Sequence, residues 1–211
     1  MIEIKNQFAN HLIFWSFALP LVGVLGLPAL LPSGDFVISD AEVTFFKNVL
    51  AKDTGAITAS CDALFNSLFV KTHIAPAFKE FFAPALSAGE NPLGSMANKF
   101  SSDYNNALWL MVYRGIWRLT GLWTIVLSVL MSLGIPFLID GLAVRARKSY
   151  NFQFHNPVVF WTASHSMILV VGLGIFLPFL PYALNPGLLL GFCVMFCASL
   201  WITAANFQTG N

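Results

Sequence analysis

The sequence has few charged residues. Of 211 residues, only 10% are charged, whereas 57% are hydrophobic and the mean hydropathy is +0.72. A soluble domain carries about 25% charged residues, so this composition excludes an ordinary soluble protein. The formal net charge is only +1. Without a basic excess, the chain has no electrostatic footprint for direct nucleic-acid binding.

Cysteine and histidine are scarce as well. The three cysteines contain no CxxC pair and their number is odd, which excludes a disulfide framework. No two of the four histidines have the spacing of a metal site. Cys193 and Cys197 lie four residues apart and favour helix packing, whereas Cys61 is either buried or pairs between subunits. We therefore expect no cofactor, no metal and no enzymatic activity.

Long apolar segments are what the chain has instead. Leu119–Ile139 contains no ionisable residue and is about as long as a helix needs to cross a bilayer core of about 30 Å. Such a helix satisfies its own backbone hydrogen bonds in lipid. A cleaved signal peptide competes for the first apolar segment, but that segment is long for this purpose and no A-x-A site follows it. Four segments of this kind predict membrane-spanning helices near 12–31, 115–139, 158–178 and 187–204.

The stretch 33–106 is more polar and has helical periodicity. Ser39 and Glu42 have the spacing of a capping box, in which each side chain bonds the backbone N–H of the other residue. Apolar residues then recur every three or four positions as far as Leu68, which predicts a helix or helix pair with a candidate break near Gly55. A second amphipathic piece, a loop and a set of N-caps are predicted at Ile74–Leu86, Ser87–Ser95 and Ser101–Asp103 respectively.

The fold class that follows is an all-α membrane protein: four transmembrane helices with a small helical extracytoplasmic domain between the first and second. Cations in short loops favour cytoplasmic termini. The predicted regions are an N-terminal tail and first span at 1–32, the extracytoplasmic domain at 33–106, the second span at 107–140, a basic cytoplasmic loop at 141–156, and a transmembrane hairpin with a short tail at 157–211.

Charged and aromatic residues at the predicted span edges are candidate contacts with lipid or a partner. Arg114 and Arg118 lie four apart and are expected to extend to lipid headgroups. Asp140 is interpreted as a helix terminus with a local ion pair. A cluster in the basic loop is either an anchor on anionic lipid or a docking patch; it comprises Arg145, Arg147 and Lys148. One aromatic stripe, typical of membrane interfaces, comprises Trp109, Tyr113 and Trp117.

A second set of candidates concerns contacts between helices. His165 lies inside the third span and is either a proton relay or a neutral histidine bonded to a neighbouring helix; the second interpretation is favoured because no carboxylate lies near it. Gly172 and Gly191 permit close helix approach. In the outer domain, Phe78, Phe81 and Phe82 form a candidate contact surface.

The second half of the chain resembles the integrating conjugative element membrane protein family. The resemblance covers roughly residues 104–208 and rests on Asp140-Gly141, Arg145, Asn156-Pro157, His165, Pro186 and Asn206-Phe207. It implies a multi-pass protein of the bacterial inner membrane that acts with conjugative-transfer or type IV secretion components. It supplies no catalytic residues.

Two hypotheses from different classes follow. The first is a non-enzymatic inner-membrane component of a conjugation apparatus, with membrane lipid and other membrane subunits as partners in a homo- or hetero-oligomer. The second is a small transporter or channel subunit that uses polar residues such as His165.

Overall fold

The computed structural model describes residues 8–82, 92–147 and 157–206. Across these ranges 89% of residues are helical, and no strand occurs among them. The all-α class is therefore confirmed. The chain divides into two compact units. The first unit comprises Met1–Pro20, Trp123–Ile175 and Asn185–Asn211, and the second comprises Leu21–Leu122 and Phe176–Leu184.

Four helices are long and apolar enough to cross a membrane, as the sequence predicts. We number the helices in chain order. Several contain a π-helical turn, so their bounds include it. They are α1 at Phe8–Leu30, α2 at Asp40–Thr44 continuing through Phe45–Val49, α3 at Thr54–Phe65 continuing through Asn66–Val70, α4 at Ile74–Phe81, α5 at Pro92–Val129 continuing through Leu130–Gly134 and Ile135–Arg147, α6 at Pro157–Phe176 with a 3-10 turn at Leu177–Phe179, and α7 at Pro186–Ala205. The candidate spans are α1, α5, α6 and α7.

The second long helix begins earlier than its predicted caps. Ser101–Asp103 lie inside α5 rather than at its start, and the predicted loop at 87–95 gives way to helix from Pro92. Proline is well suited to the first helical position, because its missing N–H would have no partner there. The Ser101 hydroxyl donates instead to the Phe82 carbonyl at 2.6 Å.

The same helix also continues further than predicted. It continues past Asp140 to Arg147, so residues 141–147 of the predicted basic loop are helical. Gly141 lies in the continued part of the helix, at a close contact with α7. A Cβ at this position would meet Ala204 and the Trp201 carbonyl at 2.8 Å, so α5 and α7 are in close contact there. The rest of the predicted loop lies outside the described residues.

Helix pairing in the first unit depends on small residues. Gly172 of α6 lies directly against the backbone of Trp15 in α1, where any Cβ would overlap the Trp15 carbonyl. Removal of the side chain lets two backbones approach, and this drives helix association where lipid replaces water. The predicted contact role of Gly172 has a clear geometric basis in this packing.

The second unit has a core formed by elements distant in sequence. Its centre is Phe36 with Ala107, Leu108 and Met111 of α5, all at most 5% exposed. Partly buried apolar side chains pack around this centre; they include Val24, Leu27, Leu31, Phe78, Tyr104 and Phe179.

The predicted helix pair is present, with its break slightly earlier than expected. α2 ends before Leu50 and α3 begins at Thr54. Ala51 has a positive φ of 49° in this connection, an uncommon conformation for a residue other than glycine. Asp53 caps α3, because its carboxylate accepts the Gly55 N–H at 2.9 Å.

Candidate functional site: a glutamate buried between two arginines

The most unusual feature of the second unit is a buried cluster of three charged side chains. Glu42 and Arg118 are 0% exposed and Arg114 is 2% exposed. The Glu42 Oε2 atom accepts from Arg114 Nη2 at 2.8 Å and from Arg118 Nη2 at 3.1 Å. Arg118 Nε donates to Glu42 Oε1. One carboxylate therefore binds two guanidinium groups at once.

Backbone carbonyls satisfy the remaining arginine donors. Arg118 donates to the carbonyls of Pro178 at 2.9 Å, Leu180 at 2.7 Å and Tyr182 at 2.7 Å. With its two bonds to Glu42, this accounts for all five N–H groups of the guanidinium. Arg118 thereby attaches the turn between α6 and α7 to α5.

Arg114 completes the cluster on the other side of the glutamate. Its Nη1 atom donates to the carbonyls of Asp35 at 2.8 Å and Pro181 at 2.9 Å. The segment before α2 is thus attached to the same helix face. We call the cluster of Glu42, Arg114 and Arg118 with these carbonyls the polar joint.

The buried charges of the polar joint are offset by pairing and by backbone carbonyls. Two cations and one anion leave one net positive charge in the interior, and the partial negative charges of five carbonyl oxygens offset it. Burial of a charge is tolerated only when it is paired and fully hydrogen-bonded. Among the described residues, no buried side-chain N or O atom lacks a partner. Every buried side-chain N and O atom of the joint therefore has a partner, which suits the joint to hold elements in place.

Local sequence explains how Glu42 reaches this position. The Ser39 hydroxyl accepts the Glu42 N–H at 3.4 Å, so the first half of the predicted capping box forms. The second half does not, because the Glu42 carboxylate turns inward to the arginines. A charged pair of bonds to guanidinium is stronger than one bond to a backbone N–H.

The predicted extension of Arg114 and Arg118 to headgroups does not occur in this structure. The i,i+4 spacing places both on one face of α5, as predicted, but that face is covered by α2 and by the turn at 178–182. Both side chains instead bind the Glu42 carboxylate and backbone carbonyls. Whether they also contribute to a partner contact stays a prediction.

The aromatic stripe of α5 also packs within the protein. The Trp117 indole donates to Thr58 Oγ1 at 3.0 Å, and its ring lies 4.6 Å from that of Phe46. The Tyr113 hydroxyl donates to Asp62 at 2.7 Å. The stripe faces α2 and α3. The three residues therefore share one helix face, as predicted, but they contact other parts of the protein and not a membrane interface.

Cys61 lies beneath this stripe. It is 0% exposed, and its thiol donates to the Tyr113 carbonyl at 3.5 Å. Burial raises the pKa of the Cys61 thiol to about 11, with a small opposing effect of the hydrogen bond. Of the two interpretations from sequence, burial is the one that the structure supports.

The remaining predicted residues lie in the first unit. Asp140 is not a helix terminus, because α5 continues through it; its carboxylate accepts the Trp201 indole N–H at 2.7 Å. Arg145 and Arg147 lie in the last turns of the same helix, and Lys148 lies outside the described residues.

His165 contacts a second histidine, His11, and this contact was not predicted from the sequence. The Nδ1 atoms of His11 and His165 lie 3.1 Å apart, so one ring donates and the other accepts. This contact between α1 and α6 agrees with the interpretation of His165 as a helix-contact residue. Over the three described ranges, no group of three metal-ligating side chains occurs.

The remaining predicted contact residues, one glycine and three phenylalanines, differ in their surroundings. Nothing lies within 4 Å of a Cβ built at Gly191, so its predicted helix contact is not made within the described chain. Phe78 packs on the core of the second unit. Phe81 is 82% exposed, and Phe82 is half-buried beside it.

Comparison with known proteins identifies a family. Residues 28–208 match the family described as IncC plasmid conjugative DNA transfer protein DtrJ-like. The chain belongs to this family. The resemblance to conjugative-transfer proteins is thus confirmed, and the match extends upstream of residue 104 to include Glu42. No curated protein and no solved structure matches the chain.

Proposed function

We propose that the protein is a non-enzymatic inner-membrane component of a bacterial conjugative DNA transfer apparatus of the type IV secretion kind. In this proposal it acts by assembly with other membrane subunits or copies of itself. The observation that carries it is the family match over residues 28–208 in a chain with four apolar helices. Only 11–28% of the apolar windows of these helices is buried within the chain. Most of that surface is therefore free for lipid and neighbouring subunits.

The polar joint gives this assembly role a physical basis. Subunit recognition favours a preformed surface, because each element that must be ordered on binding costs free energy. Arg118 and Arg114 hold the 178–182 turn and the segment around Asp35 against α5. In the proposed role, the joint presents these segments as a rigid surface.

The proposed orientation has cytoplasmic termini and an extracytoplasmic 33–106 domain. Arg145 and Arg147 end the described part of α5. Short cytoplasmic segments are enriched in such cations. A tag accessibility measurement at each end of the chain tests this orientation.

The test of assembly uses Gly191, a position at which the fold leaves open space for a larger side chain. Because nothing lies within 4 Å of a Cβ at Gly191, Gly191→Leu fits the isolated fold. If α7 packs on another subunit through this face, the leucine reduces complex size in mild detergent and lowers transfer efficiency. Gly191→Ala, with far less bulk, is the matched control. A well-folded Gly191→Leu protein with unchanged complex size and transfer contradicts assembly through this face.

The histidine contact supports a second candidate, a small transporter or channel subunit. His11 and His165 form a titratable pair between two candidate spans, and ionisable groups there often serve a transport pathway. The assembly proposal predicts that His165→Asn leaves transfer within a few-fold of wild type, because asparagine keeps a hydrogen-bonding group. Complete loss of transfer at normal protein level favours the transporter.

A further inference from the structure

The helix α3 runs along α5 in the opposite direction, and its contacts show where it begins. Three contacts join the two helices; they are Asp62 to Tyr113 at 2.7 Å, Thr58 to Trp117 at 3.0 Å, and Ile57 to a Cβ built at Gly121 at 3.0 Å. Earlier residues of α3 thus contact later residues of α5. The start of α3 therefore lies at or beyond the level of Gly121.

The helix α2 reaches the same level while running in the same direction as α5. Glu42, in its first turn, binds the arginines of the polar joint. One turn later, the Phe46 ring lies 4.6 Å from that of Trp117, and a Cβ built at Gly121 would overlap it. The connection from α2 to α3 therefore also lies at or beyond the level of Gly121.

The position of Gly121 on α5 gives the depth of this connection. The apolar stretch of α5, Leu119–Ile139, contains no ionisable residue and has the length of a hydrocarbon core of about 30 Å. α5 is continuous along this stretch, so each residue corresponds to about 1.5 Å of depth. Gly121 lies two residues inside the stretch, or about 3 Å. The α2–α3 connection is therefore level with one boundary of the hydrocarbon.

The side chains of this connection suit the headgroup layer. We call residues 47–53, KNVLAKD, the α2–α3 tip. Val49 is 58% exposed, Lys47 is exposed and Lys52 is half-buried. The one acidic residue of the tip, Asp53, uses its carboxylate to cap α3. An exposed apolar side chain between lysines is typical of an interfacial element, because lysine stems lie along hydrocarbon while the ammonium groups reach phosphates.

We propose that the α2–α3 tip lies in the headgroup layer of the membrane that α5 crosses, with Val49 at the acyl boundary and Lys47 and Lys52 among the lipid phosphates. A charged side chain in hydrocarbon is costly, so only this layer satisfies both kinds of side chain. The tip thereby gives the second unit its own contact with lipid. This inference depends on the proposed crossing of the membrane by α5, and it holds whether or not the protein assembles with other subunits.

The experiment measures how often spin labels collide with oxygen, which is enriched in hydrocarbon, and with a water-soluble nickel chelate. The full chain is placed in vesicles of phosphatidylcholine and phosphatidylglycerol. The background carries Cys193→Ala, because Cys61 and Cys197 are only 0% and 3% exposed. The label is introduced with Val49→Cys, and Asn48→Cys, at an exposed position beside it, is a second reporter.

Two further positions define lipid and water. Val126→Cys, 41% exposed within the apolar stretch of α5, is the lipid reference. Val37→Cys, at a valine of similar exposure to Val49, is the matched water control. Its neighbour Phe36 packs in one core with Met111, which precedes the apolar stretch by eight residues, or about 12 Å. A headgroup layer is only about 5–8 Å thick, so position 37 lies outside it.

In the proposed arrangement, the ratio of oxygen to nickel collisions at position 49 exceeds that at position 37 several-fold and approaches that at 126. A ratio at 49 equal to that at 37 would overturn the proposal, because it places the tip in water. Protection of positions 48 and 49 from both reagents would also overturn it, because a protein then covers the tip. If Val49→Cys fails to fold, the label at 48 decides.

The lipid reference separates this inference from the proposed function. A water-exposed label at position 126 would contradict the crossing of the membrane by α5, and with it both proposals. Lipid surroundings at 126 together with water at 49 would overturn the inference about the α2–α3 tip alone.

Discussion

Among the described residues, buried charge occurs in only one of the two compact units. In the second unit, Glu42, Arg114 and Arg118 join distant elements through buried charge. In the first unit, helices approach through glycine, as at Gly172 against Trp15. Its buried Ser164 donates to the Phe160 carbonyl of its own helix.

The difference determines how each unit responds to substitution. A buried charge whose partner is removed has no water to replace it, so the penalty is large and electrostatic. A glycine contact lacks polar groups, so its penalty is steric and depends on how far the helices can separate. A substitution that keeps the size of the side chain but removes its charge is therefore damaging at the polar joint, whereas a glycine contact is disturbed only by added bulk.

The largest expected effect is that of Glu42→Gln. The change keeps the shape of the side chain but leaves two buried guanidinium groups without an anion, and loss of one partner of a buried ion pair costs about 3–5 kcal/mol. Thermal denaturation of the detergent-solubilised protein measures the loss. Asp40→Asn, at an exposed position of the same helix, is the control and should change little. Equal melting temperatures for Glu42→Gln and wild type would show that the joint contributes no stability.

The second prediction concerns thiol reactivity in the polar-joint unit. The pKa of Cys61 is raised from 9.0 to about 11. Two pKa units lower the thiolate population about 100-fold at neutral pH, and the thiolate is the reactive form. Maleimide labelling of Cys61, followed by peptide mass spectrometry, should be at least that much slower in the folded chain than in denaturant. It should also increase with pH up to about 11. Fast labelling at neutral pH would mean that α3 separates readily from α5.

A smaller effect is expected for Gly172→Ala in the first unit. The new methyl group overlaps the Trp15 carbonyl and must separate α1 from α6, at a cost of about 1–3 kcal/mol. Gly174→Ala on the same helix is the matched control, because nothing lies within 4 Å of its Cβ. Since alanine is the better helix former, the control should be neutral or slightly stabilising. Identical unfolding temperatures for the two variants would contradict the close approach.

The smallest effect is expected for Trp201→Phe. Phenylalanine retains most of the ring and loses only the indole N–H that binds Asp140. A single exposed hydrogen bond contributes about 1 kcal/mol or less. The melting temperature should therefore decrease by less than for Gly172→Ala. A loss as large as that of Glu42→Gln would show that polar contacts dominate the first unit as well.

Sequence patterns predicted single elements well and their partners poorly. The cap at Ser39 and the i,i+4 spacing of Arg114 and Arg118 could be recognised from the sequence, because both depend on residues within one helical turn. The partners of the Glu42 carboxylate could not be recognised, since Arg114 lies 72 residues away in the chain. The capping box predicted at Ser39 and Glu42 therefore forms only in its first half.

The sequence by itself determined the all-α class, the four candidate membrane spans and the helical nature of the region between the first two. These properties depend on apolar length and on periodicity within each segment. Only the tertiary structure decided that the charges of α5 turn inward, that Cys61 is buried, and that His11 meets His165. A guanidinium near a membrane has two favourable environments, lipid headgroups or a buried anion with carbonyls. The choice between them depends on which groups the fold brings within 3 Å, and no local pattern contains that distance.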